Sequence, residues 1–164
     1  MNGGPVIFLH KLMERISMKK EIKVTVLTSL LVLTKGKYKK MKKAKVNENY
    51  NIFYERISFG FISLKLIIKI IFNINKYDHI YINSFFNFYT LTSLLFCKKK
   101  VAISPRGQLM YDNFYNKSVY KKKLFLSLIE LFKNKIYFIF SSSQEVTETQ
   151  KILLNKYKYI ILPN

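Results

Sequence analysis

The segment that best indicates the fold is residues 78–107, which read DHIYINSFFNFYTLTSLLFCKKKVAISPRG. The two ends of this stretch, Asp78–Ser84 and Lys100–Ser104, are short apolar runs with the composition of β-strands. The segment between them, Phe86–Phe96, is apolar and long enough for about three turns of helix. A strand, a helix and a second strand in this order indicate a βαβ unit, in which two parallel strands are joined by a right-handed crossover.

The same alternation continues on both sides of this unit. Towards the C-terminus we predict a helical region Tyr111–Phe132, a strand Ile136–Ser141, a helix Gln144–Lys156 and a strand Tyr159–Leu162. Towards the N-terminus we predict an amphipathic helix Pro5–Met18, a strand Glu21–Ser29, an exposed lysine-rich loop Leu33–Asn49, a strand Asn51–Ser58 and a helix Phe59–Ile74. The chain is therefore predicted to be an α/β protein: one Rossmann-like domain over residues 1–164, with a parallel sheet and helices on both faces.

Charge and cysteine content limit the possible partners and compartments. The net charge of +20 creates a positive field that attracts nucleic acid, anionic lipid head groups or phosphorylated substrates. An AT-rich genome would also enrich a chain in Lys, Asn, Ile, Tyr and Phe. The single Cys97 excludes an internal disulfide, and neither a secretory signal nor a spanning helix is predicted, so a cytoplasmic location is expected.

Three loops carry the candidate functional residues, because ligands of open α/β sheets bind at the carboxyl ends of strands. Gly3 and Gly4 precede the first helix, where backbone N–H groups could approach an anion, although a plain helix-entry turn has the same sequence. Arg106 and Gly107 follow a strand, and the alternative for this arginine is an ion pair with a nearby carboxylate. The serines before Glu145 could contact a ligand or only cap the helix that follows.

With these loops in order, the chain resembles glycosyltransferase family 4. The similar segments are, in chain order, the Gly3-Gly4 loop, the strand Ile22–Thr28, the strand Asp78–Ser84, the segment Ile103–Leu109 (ISPRGQL, like the S-P-R-G-M-L of some members), the Ser143–Glu145 region, and Leu162–Asn164, which is like the start of an I-P-N-G-V-D linker. The resemblance covers essentially the whole chain and depends on the order of several weak motifs.

The resemblance implies a retaining GT-B enzyme, in which an N-terminal domain holds the acceptor and a C-terminal domain holds most of the nucleotide-sugar donor. The enzyme would transfer a sugar to a lipid-linked or polysaccharide acceptor in cell-surface glycan synthesis, such as that of lipopolysaccharide or capsule. Nucleotide sugar is then the co-substrate, and neither a cofactor nor a metal is expected. The residues that would line the cleft between donor and acceptor are Gly3, Gly4, Asn83, Arg106, Gly107, Ser143 and Glu145.

The sequence departs from the family pattern at several positions. Many members carry histidine where this chain has Tyr81 and Asn83, or near the position of Arg106, so no catalytic residue is assigned. His10 and His79 are predicted to be packing or surface residues. The family's first strand, ahead of Gly3, and its donor domain, after Asn164, are missing, so the chain is expected to be a fragment with little or no transferase activity alone.

Two further expectations concern partners. The resemblance and the basic charge together predict a peripheral protein on the inner face of the cytoplasmic membrane, and the anion contacts assigned to the lysine-rich loop are Lys37, Lys39, Lys40, Lys42 and Lys43. A basic nucleic-acid-binding module is an alternative that the composition leaves open, although no binding motif is present and no nucleic acid is expected as partner. A non-catalytic remnant, or a subunit of a split transferase, is the other alternative.

Overall fold

The structure is a computed structural model that describes residues 4–19, 21–30, 43–57, 62–153 and 157–163. The chain divides into two compact units, Met1–Ile68 and Lys69–Asn164. The helix α2 (Leu64–Asn73) runs across the division between them.

The first unit packs one helix on a small sheet. Its elements are α1 (Gly4–Ser17), β1 (Val24–Leu30), β2 (Lys43–Asn47) and β3 (Tyr50–Arg56). The strand order is β1-β3-β2; β1 and β3 are parallel, with Val24 opposite Tyr50, and β2 is antiparallel to β3. Val24, Tyr50 and Ile52 form the buried core, against which Met13 and Ile16 of α1 pack.

One prediction for this unit is wrong, because the end of the supposed loop Leu33–Asn49 is the strand β2. The residues Lys-Ala-Lys-Val-Asn alternate between long polar and apolar side chains, which suits an edge strand. At its end, Asn47 Oδ1 accepts a hydrogen bond of 2.9 Å from Asn49 N, forming the tight turn into β3. The many lysines of this segment favour the prediction of a loop, so the short strand could not be recognised from the sequence.

The second unit contains a four-stranded sheet and its helices. After α2 and a one-turn 3-10 helix (Ile74–Lys76) come β4 (Ile80–Asn83), α3 (Phe88–Phe96), β5 (Val101–Ser104), α4 (Tyr111–Tyr115), α5 (Val119–Glu130), a second 3-10 turn (Lys133–Lys135), β6 (Ile136–Phe140), α6 (Ser143–Leu153) and β7 (Lys158–Ile161). The strand order is β4-β5-β6-β7 and every pair is parallel. This parallel sheet flanked by helices confirms the prediction of a Rossmann-like α/β fold.

The core of the second unit lies between the sheet and its helices. Val101 and Ile103 of β5, Phe138 of β6 and Ile129 of α5 are almost completely buried. Phe85, also buried, places its ring 5.8 Å from that of Phe138. Apolar burial of this kind is the main contribution to folding stability.

The helical region predicted at Tyr111–Phe132 is broken into α4 and α5. The break is at Ser118, whose φ of 56° lies in the left-handed region and is incompatible with a continuous α-helix. Apolar periodicity continues through the break, so the pattern alone could not reveal it. Among the residues that the structure describes, no helix is both long and apolar enough to cross a bilayer.

Both histidines lie at the surface. His10 on α1 is exposed, and its Nδ1 lies 3.0 Å from the hydroxyl of Tyr50. Burial, and secondarily the charge that Tyr54 would carry, raises the pKa of Tyr50. His79 is exposed just before β4.

Candidate functional site

The candidate site lies where β4, β5 and β6 end. Because the strands are parallel and Asn83 is paired with Ser104, their carboxyl ends meet at one edge of the sheet. Three segments leave this edge and are called here the edge loops: residues 84–87 after β4, 105–110 after β5, and 141–142 after β6. Hydrogen bonds connect each of these loops to a neighbour.

The middle edge loop has an unusual backbone. Arg106 and Gly107 both have positive φ, 53° and 76°, and the turn is closed by a hydrogen bond of 3.1 Å from Gln108 N to Pro105 O. A left-handed conformation costs a residue with a side chain about 1 kcal/mol, so the surrounding contacts must hold Arg106 in place. Glycine at the second position avoids that cost.

Glu145 connects the second and third edge loops. This residue of α6 is 2% exposed. Its Oε1 accepts a hydrogen bond of 2.6 Å from Gly107 N, and its Oε2 accepts two of 2.8 Å, from the backbone N and the hydroxyl of Ser141. A buried carboxylate requires such donors, and here they fix the turn at Gly107 relative to the start of α6.

Gln108 connects the second edge loop to the first. Its Oε1 accepts hydrogen bonds from Phe85 N at 2.6 Å, from Phe86 N at 3.2 Å and from the hydroxyl of Ser84 at 3.2 Å. One amide oxygen therefore satisfies two backbone N–H groups that the end of β4 leaves without sheet partners. The next turn is capped by Asn87, whose Oδ1 accepts from Thr90 N at 2.7 Å.

The guanidinium of Arg106 lies over the end of β4. Its Nε donates to Asn83 Oδ1 at 2.7 Å and its Nη2 donates to the hydroxyl of Tyr81 at 3.3 Å. Both of these acceptors are neutral oxygens, and the two contacts orient the guanidinium. A guanidinium at the ligand edge of a sheet is a group that can bind an anionic or strongly polar ligand.

A hollow of about 440 Å³ lies beside the middle edge loop, between α4 and α6. Tyr111, Asn113, Gln144 and Glu148 are among its lining residues. Asn113 also donates from Nδ2 to Gly107 O at 2.9 Å, so the hollow adjoins the turn. An aromatic ring together with amide and carboxylate groups suits a ligand with several hydroxyl groups.

The structure brings together four of the predicted cleft residues: Asn83, Arg106, Gly107 and Glu145. Ser143 lies nearby as the first, exposed residue of α6. The helix cap is instead Ser142, whose hydroxyl accepts a hydrogen bond of 3.2 Å from Glu145 N. The capping explanation for these serines therefore applies to Ser142.

The remaining predicted residues belong to the first unit or lie outside the described residues. Gly4 is the first residue of α1, and Lys43 is the first residue of β2. The residues outside the described part of the chain are Gly3, Lys37, Lys39, Lys40 and Lys42.

Two contacts between the edge loops do not follow from the sequence. The sequence places Gln108 only within the ISPRGQL segment and Ser141 only among the serines that could cap α6 or contact a ligand, yet both hold edge loops together. A glutamine immediately after Pro-Arg-Gly has no sequence signal that it will cross to another loop. Among the described residues, no three His, Cys, Asp or Glu side chains are grouped as a metal site would require.

The fold and site define a Rossmann-like α/β protein with a polar, arginine-containing site at the carboxyl edge of its parallel sheet. Comparisons with protein-family models, with curated proteins and with solved structures gave no match to this chain. The resemblance to glycosyltransferase family 4 stays a prediction that rests on the motifs of the sequence.

Proposed function

We propose that this chain is the acceptor-side domain of a retaining glycosyltransferase of the family 4 type. The enzyme would transfer a sugar from a nucleotide sugar to a lipid-linked or polysaccharide acceptor in cell-surface glycan synthesis. Its location would be peripheral, on the inner face of the cytoplasmic membrane. Arg106 and Gly107 would form the floor of the cleft in which donor and acceptor meet.

The observation that carries this proposal is the set of hydrogen bonds between the three edge loops. Glu145 and Gln108 hold the Arg106-Gly107 turn rigidly at the edge of the sheet where α/β proteins bind ligands. Pre-organised donors reduce the entropy lost on binding and are characteristic of ligand sites rather than of plain loops. The strained φ of Arg106 supports the same interpretation.

The chemistry of the site agrees with a glycan acceptor. The arginine would contact phosphate or carboxylate groups of the acceptor or donor. The adjoining hollow offers Asp112, Asn113, Gln144 and Glu148 as hydrogen-bonding partners for sugar hydroxyls, and Tyr111 as a surface for a sugar ring. A catalytic residue is not assigned, because no histidine of the second unit lies on the edge loops.

The nucleic-acid alternative has less support from the described residues. Five of the aromatic rings form one interior cluster, in which each ring centroid lies about 6 Å or less from that of at least one other; they are Phe85, Phe86, Phe114, Phe125 and Phe138. Rings in a core cannot stack on bases, which is how aromatic residues bind single strands.

The proposal is tested by ligand binding to the intact chain. Saturation-transfer NMR would be recorded with phosphorylated core oligosaccharides and with a panel of uridine and guanosine diphosphate sugars. We expect binding of a phosphorylated glycan, and about a tenfold weaker Kd in R106Q, because a charge-assisted contact contributes about 1.5 kcal/mol. The matched control is K98Q, which removes one charge at the opposite end of the sheet and should bind as the wild type does.

Transfer activity is measured separately with radiolabelled nucleotide sugars. We expect no transfer by the chain alone, because the resemblance assigns most donor contacts to a second domain. Absence of glycan binding by the wild type, or equal weakening in R106Q and K98Q, would contradict the proposal. A tight, steeply salt-dependent affinity for single-stranded nucleic acid would favour the alternative instead.

A further inference from the structure

The helix α5 has two apolar faces: one packs on the core of the second unit, and the other is largely exposed among the residues that the structure describes. On the inner face, Ile129 is fully buried and the ring of Phe125 lies 5.6 Å from that of Phe85 and 5.5 Å from that of Phe86. Packing on the core therefore explains this face completely. It does not explain the apolar side chains on the other side of the helix.

The outer face of α5 consists of Tyr120, Leu124, Leu128 and Leu131, which are 90%, 65%, 40% and 77% exposed. Their spacing of four, four and three residues places them in one row along the helix and into the turn that follows it. A row of four large apolar side chains in water is unfavourable for a protein that remains in solution, and it marks an interaction surface.

Lysines border this row on both sides. At 100° per residue, Lys121 and Lys123 fall on opposite flanks of the row, and both are exposed. Lys117 and Lys133 are exposed just beyond the two ends of the helix. Lys122, by contrast, is directed to the protein, where its Nζ donates to the backbone oxygen of Asn113 at 2.6 Å.

We infer that the outer face of α5 docks on an anionic lipid bilayer, with the apolar row inserted at the level of the acyl chains and the lysines at the phosphate groups. The inference deepens the proposed peripheral location and rests on it. An exposed apolar row between cations is the pattern of helices that lie in the membrane interface. Its charge is complementary to anionic head groups, whereas a second copy of this chain, with its own charge of +20, would repel it.

The dimensions of α5 agree with docking parallel to the membrane. Twelve residues span about 18 Å, which is well short of the about 30 Å of hydrocarbon that a spanning helix crosses. Tyr120, at the first turn, has the amphipathic ring that is enriched at membrane interfaces.

The helix α2 provides a matched comparison within the chain. Leu64, Ile68 and Phe72 form a similar row and are 52%, 54% and 74% exposed. Its lysines, Lys65 and Lys69, both fall on the same flank of that row. The α2 row therefore lacks the cations on both sides that distinguish α5.

Vesicle co-sedimentation tests the inference, with phosphatidylglycerol vesicles compared with phosphatidylcholine vesicles at low and high salt. The wild type should bind the anionic vesicles. L124Q/L128Q should lose at least about tenfold in partition coefficient at either salt concentration, because the apolar insertion is removed. K121Q/K123Q should lose roughly tenfold at low salt and much less at high salt, because its contribution is electrostatic. The control I68Q/F72Q makes the same kind of change on α2 and should bind within about twofold of the wild type.

The outcomes separate this surface from the wider proposal. If the wild type binds anionic vesicles and L124Q/L128Q binds equally well, the α5 surface is refuted while the peripheral location remains. If the wild type binds neither kind of vesicle, the α5 surface and the peripheral location are both refuted, whereas the glycan-binding test is unaffected. If L124Q/L128Q changes only the sedimentation coefficient, converting a dimer to a monomer, the occupant of the face is a second copy and the inference is overturned.

Discussion

The edge loops and the outer face of α5 belong to the same unit but differ in how far their side chains are buried. At the edge loops a carboxylate is buried, 2% exposed, and receives three hydrogen bonds. On α5 a row of leucines faces solvent, among them Leu124 at 65% exposure. Burying the carboxylate costs free energy, but its hydrogen bonds stabilise one geometry of the edge loops. The exposed leucines contribute less to folding and are available for a partner. Substitutions in the two regions should therefore differ sharply in their effect on stability.

The largest effect is expected at Glu145. In E145Q an amide NH₂ would face either Gly107 N–H or the two donors of Ser141, so buried donors would be left without an acceptor. We expect the free energy of unfolding to fall by about 3 kcal/mol, measured by urea denaturation. The control is E148Q, whose carboxylate pairs with Lys151 at 2.6 Å near the surface and should cost no more than about 0.5 kcal/mol. Equal losses of unfolding free energy in E145Q and E148Q would show that the hydrogen bonds of Glu145 between the edge loops are unimportant for stability.

A smaller loss is expected from G107A. The added Cβ would lie 3.5 Å from Met110 Sδ, an ordinary contact, so the cost comes from the φ of 76° and not from a clash. We expect about 1 kcal/mol of destabilisation by urea denaturation. G107N should cost less than G107A, because asparagine tolerates the left-handed region better than alanine. The opposite order of the two variants would mean that steric contacts, and not φ, select glycine here.

Stability at alkaline pH should depend on Tyr157. Burial raises the pKa of Tyr157 to about 12, with a secondary contribution from the charge of Glu130. The folded state therefore favours the neutral phenol, so the stability from this group is complete below the unfolded pKa of 10.0 and is lost as pH rises towards about 12.

Y157F should reduce the fall in unfolding free energy over that pH range. The rise in the pKa of Tyr157 would correspond to a larger free energy, but water reaches part of the side chain and screens its charge. We therefore expect Y157F and the wild type to differ by about 1 kcal/mol in this fall. The control is Y120F on α5, which removes the same hydroxyl from a side chain that is 90% exposed. The measurement is the free energy of unfolding as a function of pH. Parallel curves for Y157F and the wild type would exclude this role for Tyr157.

The sequence was sufficient to predict the alternation of strands and helices in the second unit. Strands such as Val101–Ser104 are short, apolar and β-branched because both faces of a parallel sheet are covered. It did not reveal β2, where lysines hide a period of two, or the end of α4 before Ser118, where one backbone torsion interrupts a continuous apolar pattern. Such features depend on tertiary contacts and on single φ values, which periodicity does not encode.

The candidate site could be located from the sequence but its connections could not. Strand ends are readable, and parallel strands bring them to one edge, so Asn83, Arg106 and Glu145 could be grouped in advance. Which side chains are buried there is a different matter, because glutamate is rarely buried and the sequence offers no sign that Gly107 N–H is its partner. The same applies to Gln108, whose three donors come from residues more than twenty positions earlier.

The smallest effect on stability is expected on α5. In L124Q/L128Q the new side chains have nearly the same helix propensity as leucine, and the replaced ones are 65% and 40% exposed, so that only part of their surface is buried on the protein. The free energy of unfolding should therefore change by less than about 1 kcal/mol, even though the same variant is expected to lose vesicle binding. A large destabilisation, measured by urea denaturation in the absence of lipid, would mean that these leucines pack within the protein and that the outer face is not a free surface. An unchanged stability combined with lost binding would separate the two regions by role, with the edge loops maintaining the geometry of the site and α5 placing that site at the membrane.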